Sequence, residues 1–302
     1  MTTMTMTMTT TIVMTTIVMT TIVMTIATAR ALGMAGVTEQ HLSLNTDRRR
    51  GMRGPGSLSV VVPVFNEEDI LKDTVEELLA GLARLSLAEY ELILCENGST
   101  DATREVAYAV AAAHPVVRLL TLDRADYGAA LRAGLLAAQG ETAVSFDADY
   151  YDFDFLRGAL GTAGDVVVAS KGISGSVDRR SLLRRLASRC FGLVTRSLLG
   201  IKVRETHGMK LFRPRALGLV PFIVATKDLF DTELLAVAEI GGLEIGELPI
   251  ITEERRPSRS GILSRIPRTI LGLLEIRERI RVELVPDLGT ISFSRTRILD
   301  AA

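Results

Sequence analysis

The chain has 302 residues, 47% of them hydrophobic, and a formal net charge of −1. That length and composition allow a full buried core, and the near-neutral balance excludes a generic nucleic-acid binder. The balance conceals a segregation: residues 61–160 carry 18 acidic and 7 basic side chains, whereas residues 171–215 carry 12 basic and 2 acidic ones.

An acidic half facing a basic segment is what a site for both a metal and several phosphates needs, although a solvated helix face also accounts for many arginines. The two cysteines, Cys95 and Cys190, fit neither a metal spacing nor a disulfide framework, so a reducing cytoplasm is the default expectation.

Residues 1–29 are uncharged and repeat T-T-I-V-M. A period of five matches no helix, and Thr with β-branched residues favours extended or disordered chain. The stretch lacks the basic start of a signal peptide, and its threonine content argues against a membrane helix. Together with the Gly/Pro/Arg-rich stretch 45–57 it reads as a low-complexity, disordered extension and linker over 1–57.

From residue 58 the pattern becomes regular. Residues 58–64, L-S-V-V-V-P-V, predict a strand covered on both faces, and N-E-E-D at 66–69 predicts the acidic first turn of a helix reaching residue 84. Strands follow at 90–95, 116–121 and 142–146, with an alanine-rich helix at 127–139. Ser99 or Thr100 is placed to cap a helix after the second strand. Alternating strands and helices imply a parallel sheet, whose ligands bind beyond the carboxyl ends of its strands.

Polar clusters fall at three such ends: P-V-F-N-E at 63–67, E-N-G-S-T-D at 96–101 and D-A-D at 147–149. Alternate residues of extended chain point the same way, so Asp147 and Asp149 can turn toward one ion. An oxygen-only pair suits Mg²⁺ or Mn²⁺. An acidic loop capping the next helix is the plainer alternative. No G-x-G-x-x-G follows the first strand and no Walker-type loop is present, so phosphates must be held by a metal and basic side chains.

Taken in order, V-V-V-P-V-F-N-E-E, E-N-G-S-T-D, Y-G-A-A-L-R-A-G-L-L-A-A-Q-G-E and F-D-A-D resemble the family 2 glycosyltransferases. The likeness is strongest to the branch of dolichyl-phosphate mannose synthase and polyprenyl-phosphate sugar transferases, and it covers residues 58–281. It implies an α/β GT-A fold, Rossmann-like, with a mostly parallel central sheet flanked by helices in a single catalytic domain over 58–261. A C-terminal amphipathic helix and tail would follow over 262–302, the helix either lying on a membrane surface or packing against the domain. It also implies a UDP- or GDP-linked sugar donor and a divalent cation, Mg²⁺ or Mn²⁺.

Carried over by position, the resemblance implies that Pro63, Phe65, Asn66 and Glu67 line the base and ribose pocket. Glu96 and Asn97 stand where relatives often carry aspartates that contact the base. Asp147 would lie near the ribose and metal, with Asp149 the principal metal ligand; Tyr151 replaces a glutamine that often helps hold the metal. Lys171 would stand near the phosphates, and Glu205, Gly208 and Lys210 match positions in the loop before a strand, where Lys210 would be a further substrate-binding residue. His207 reads as a structural hydrogen bonder. Arg255, Arg256 and Arg259 match a loop that closes over the diphosphate, where fixed cations lower the barrier to bond cleavage.

Residues 177–190 read as a loop entering a helix, on which Arg180, Arg184, Arg185 and Arg189 can share a face for a lipid phosphate or a membrane surface. The expected reaction is displacement at the anomeric carbon of a nucleotide sugar, with a polyprenyl phosphate as acceptor. An anionic phosphate needs little general-base help; a hydroxyl acceptor would need a base, for which Asp231 is the first candidate. A non-catalytic nucleotide-sugar-binding protein of the same fold is the alternative. No multi-span membrane domain follows the catalytic region, so the expected location is cytoplasmic, peripheral at the inner face of the membrane.

Overall fold

The computed structural model describes residues 56–252 and 262–281. Nine strands are present among them: β1 Ser57–Val64, β2 Glu89–Asn97, β3 Val117–Leu122, β4 Thr142–Ser145, β5 Val166–Ser170, β6 Val177–Asp178, β7 Lys210–Phe212, β8 Ile245–Pro249 and β9 Ile251–Thr252. The helices are α1 Leu71–Leu82, α2 Thr103–Ala113, α3 Tyr127–Ala137, α4 Phe153–Gly161, α5 Leu182–Leu199, α6 Pro214–Leu217, α7 Phe230–Ile240 and α8 Ile262–Arg279. Seven strands form one sheet in the order β3-β2-β1-β4-β7-β5-β8, with β6 and β9 paired separately. Only β7 runs antiparallel to its neighbours in that sheet.

Period-two alternation sets the layers. Leu58, Val60, Val62 and Val64 of β1 pack with residues of α1, α2 and α4 on one face; Val61 packs with α3, α7 and α8 residues on the other. Gly134 lets α3 lie close to the sheet, since a Cβ there would come within 2.3 Å of Val61 and 2.6 Å of Cys95. Leu273, Ile276 and Ile280 put α8 into this same core cluster, so of the two positions open to this helix the structure has it packed against the sheet domain.

Two local expectations are corrected. Helix α1 begins at Leu71, because Asn66 takes a left-handed φ of 54° and the chain turns through 66–70 before winding. Helix α2 has Ala102 at its N-cap, and neither Ser99 nor Thr100 caps it: Asp101 accepts the Thr103 amide at 3.0 Å and Glu68 the Ala102 amide at 2.7 Å. Ser99 instead accepts the Asn66 amide at 3.0 Å, joining the loops after β1 and β2.

The strand order reverses between β1 and β4, where the loops after these two strands diverge and leave a crevice. That crevice holds the candidate site.

Candidate active site

A cleft of about 480 Å³ opens beyond the carboxyl ends of β1, β2 and β4. Pro63, Phe65 and Glu67 line it from the β1 loop and Asn97 from the end of β2. Asp126 and Tyr127 line it at the start of α3, and Asp147, Ala148 and Asp149 after β4. Lys227 and Asp228 complete one wall together with Arg268 from α8.

Asp147 sits in a tight turn with Tyr150, each backbone amide donating to the other's carbonyl at 3.2 and 3.1 Å. The turn holds Asp147 and Asp149 at the cleft. Burial first, and then the charge of Asp149, push the Asp147 carboxyl up to about 6; Lys210 and a hydrogen bond from the Tyr127 hydroxyl oppose the rise. Tyr127 is itself pushed well above the usual phenol range, by burial and then by Asp147.

A carboxylate pair so placed fits a hard dication, although no group of three or more His, Cys, Asp or Glu side chains suited to a metal occurs among the described residues. Asp147 and Asp149 would hold such an ion together with substrate oxygens and water. Tyr151 is engaged by other groups: its hydroxyl bonds Glu77 on α1 and its ring packs with Phe146 and Phe153.

Behind the acidic turn lies a buried polar layer. Lys210, fully buried at the start of β7, meets Asp231 at 3.1 Å and donates to the Gly208 carbonyl at 2.7 Å. Its strand position places it opposite Ser145, two residues before Asp147. His207 lies against Phe191 of α5 at 5.1 Å, and burial pushes its pKa down. Lys171 pairs with Glu205 at 3.4 Å.

The structure thus divides the residues expected from sequence. Pro63, Phe65, Glu67, Asn97, Asp147 and Asp149 meet at the cleft. Asn66 braces it, accepting the Thr100 amide at 2.8 Å and donating to the Thr100 hydroxyl at 3.2 Å. Glu96 does not line the cleft: it is fully buried, pairs with Arg104 at 2.6 Å and accepts the Ser99 amide at 2.6 Å, and Asn97 lines the cleft in its place.

Lys210 and Asp231 face one another rather than the cleft, and Lys171 faces Glu205. Arg184 and Arg189 lie on α5, outside the cleft lining. Arg180 forms a two-pronged pair with Asp178, holding that carboxyl below its usual range. Arg255, Arg256 and Arg259 lie outside the described residues.

The cleft also holds polar side chains that the sequence did not single out as site residues, among them Tyr127, Lys227 and Arg268. Lys227 has a left-handed φ of 54°, and its amide is held by Asp126 at 2.7 Å. A Cβ on Gly128 would meet the Lys227 backbone at 2.7 Å, so this strained turn packs directly on α3. Arg268 pairs with Asp228 at 3.0 Å. Glu233, fully buried, fixes the same region: it accepts the Val224 and Ala225 amides and pairs with Arg279 of α8 at 2.8 Å.

A mostly parallel sheet with one reversed strand, carrying an Asp-x-Asp turn at its switch point, defines the GT-A class. Solved structures agree: glucosyl-3-phosphoglycerate synthase from Mycobacterium tuberculosis, in complex with Mn²⁺, UDP and glucosyl-3-phosphoglycerate, superposes with a TM-score of 0.54 at 22% identity, over 74% of this chain and 80% of that one.

The glycosyl transferase family 2 model matches residues 59–218, and the chain belongs to that family. Dolichyl-phosphate beta-glucosyltransferase of Drosophila melanogaster is 31% identical over 64% of this chain and 66% of that protein. Glycosyltransferase AglD of Haloferax volcanii is 28% identical over 76% of this chain and 40% of that protein. The chain thus spans about two thirds of the length of the first relative and less than half of the second.

Proposed function

We propose that this chain transfers a sugar from a UDP- or GDP-linked donor to a polyprenyl phosphate. The observation that carries the reading is the Asp147–Asp149 turn facing Pro63, Phe65, Glu67 and Asn97 across one cleft. The flat apolar surface of Pro63 and Phe65 suits a base, and Glu67 and Asn97 offer hydrogen bonds to base or ribose. The relatives named for dolichyl-phosphate glucosyl transfer supply the acceptor class by analogy.

Asp147 and Asp149 would hold Mg²⁺ or Mn²⁺, which supplies positive charge against the departing diphosphate. Tyr127 orients Asp147 through its hydroxyl. Lys227 and Arg268 bring cations to the other wall of the cleft, where they oppose the charge that builds as the glycosidic bond breaks. The acceptor phosphate attacks with an oxygen that is already anionic, so no side chain has to remove a proton. The burial of Asp231 against Lys210 fits that economy, since a general base for a hydroxyl must reach its proton.

No helix among the described residues is long and apolar enough to cross a membrane. A cytoplasmic position, peripheral at the inner face, agrees with a lipid-borne acceptor. The deciding experiment incubates the full chain with UDP- or GDP-sugars, Mn²⁺ and either a polyprenyl phosphate or a free polyprenol. Transfer to the phosphate alone is expected. Transfer to the alcohol would restore a general-base requirement, and nucleotide-sugar binding without any turnover would favour the non-catalytic reading.

A further inference from the structure

Asp149 is flanked by two pinned peptides. On its carboxyl side the Tyr150 amide donates to the Asp147 carbonyl at 3.1 Å. On its amino side the Ala148 carbonyl accepts the hydroxyl of Thr74, on α1, at 3.0 Å. A threonine within a helix ordinarily turns its hydroxyl to a carbonyl of the preceding turn. Thr74 sends it across to the acidic turn instead, and both Thr74 and Ala148 are buried. The turn is tethered further by Tyr150, whose hydroxyl donates to the Ile251 carbonyl of β9 at 3.1 Å, and by Tyr151, which bonds Glu77 on the same helix as Thr74.

We propose that Thr74 is a positioning residue for the carboxylate pair: it fixes the rotation of the Ala148–Asp149 peptide and with it the direction in which the Asp149 side chain leaves the turn. The inference rests on the reading that Asp147 and Asp149 hold a divalent cation. Two adjacent carboxylates repel, which favours opening of the turn. Backbone tethers made before any ion arrives oppose that opening and reduce the reorganisation that binding demands. Thr74 suits the task because its helix is anchored independently, by Leu71, Val75, Leu78 and Leu82 in the core. Without the hydroxyl the Ala148 carbonyl loses a buried donor, and its peptide gains by rotating toward water, carrying Asp149 with it. Thr74 is absent from the cleft lining, so it acts on a ligand only through the turn.

Titration of the full chain with Mn²⁺, alone and with UDP, followed by electron paramagnetic resonance, reads this directly. Thr74→Val keeps the volume and the branching and removes the hydroxyl. It should weaken Mn²⁺ binding by about tenfold or more, as loss of a group that orients a metal ligand does. Thr74→Ser restores the donor and should bind within about threefold of the wild type. Leu82→Ala, at the far end of α1, should lower the melting temperature as much as Thr74→Val and leave Mn²⁺ affinity unchanged, which separates positioning from a general loss of stability. In transfer assays saturating Mn²⁺ should relieve the Thr74→Val defect, because both carboxylates remain. Should Thr74→Val not fold, Thr74→Ala, which favours the helix, takes its place with the same expected loss.

Three results would overturn the proposal: wild-type Mn²⁺ affinity in the variant that lacks the hydroxyl, failure of Thr74→Ser to recover binding, and equal weakening by Leu82→Ala. A wild type that binds no Mn²⁺, with or without UDP, would overturn the metal reading of the site and this inference with it. Mn²⁺ binding that responds to Thr74 but supports no sugar transfer would overturn the transferase reading alone and leave this inference standing.

Discussion

The two edges of the sheet treat buried carboxylates in opposite ways. At the amino-terminal edge Glu91 on β2 is 3% exposed and fully engaged. It accepts the Ser59 hydroxyl and the Gln139 amide, each at 2.7 Å, and pairs with Arg118 at 2.6 Å. At the carboxyl edge Asp147 stands beside a second carboxylate, with its pKa raised to about 6. The first arrangement is complete as folded. The second sets two carboxylates side by side at a cleft, an arrangement whose repulsion a bound cation would offset. On the function proposed above, the difference separates a charge that maintains the fold from one that would serve a ligand.

Five substitutions test this contrast. The largest effect is expected from Asp149→Asn, which should lower Mn²⁺-dependent transfer about a thousandfold without lowering the melting temperature, read by a transfer assay and a thermal melt together. Glu91→Ala should do the reverse: a loss of about 3 kcal/mol in unfolding free energy by denaturant titration, because Arg118, Ser59 and the Gln139 amide lose their shared acceptor. Transfer per folded molecule should stay near normal. If Glu91→Ala spares stability while Asp149→Asn unfolds the chain, the contrast between the edges is wrong.

A smaller effect is expected at the opposite wall of the cleft. Lys227→Gln and Arg268→Gln should each weaken UDP or GDP binding about tenfold in calorimetry while leaving the free nucleoside unaffected, the signature of a lost diphosphate contact. The smallest is a gain. Asp147→Asn should raise the melting temperature of the metal-free protein by a few degrees. A carboxyl whose folded pKa is raised binds its proton more tightly in the native state, so the wild type loses stability as pH climbs from about 4 to about 6. The advantage of the variant should therefore be absent below pH 4, grow across that window and level off above it. Thermal melts at several pH values with a chelator check the sign.

Much of the fold was legible because it rests on local pattern. The β-branched run of β1, the alternation of strands with helices and the polar clusters at three strand ends pointed to a parallel sheet and to its binding edge. The order of four motifs then identified the family. What escaped depends on contacts distant in sequence. Glu96 looked like a base contact, yet Arg104 at the start of α2 claims it. Lys210 and Asp231 looked like separate site residues, but each is the other's buried partner.

Lys227 and Arg268 reach the cleft because α8 folds back on the core and because a lysine adopts a left-handed turn. No spacing rule encodes either event. The acidic turn itself was readable as a pair. Its raised pKa was not, since that follows from burial.

The reversed direction of β7 has a consequence for how the site can be altered. Six strands deliver chain that is leaving the sheet at this edge, whereas β7 alone delivers chain that is arriving. Lys210 is therefore anchored within the ladder between β4 and β5, while Asp149 and Lys227 ride on connections beyond it. A redesign seeking an immovable charge should work at position 210; one seeking an adjustable grip on a new donor should work at 227, where retuning leaves the strand lattice intact.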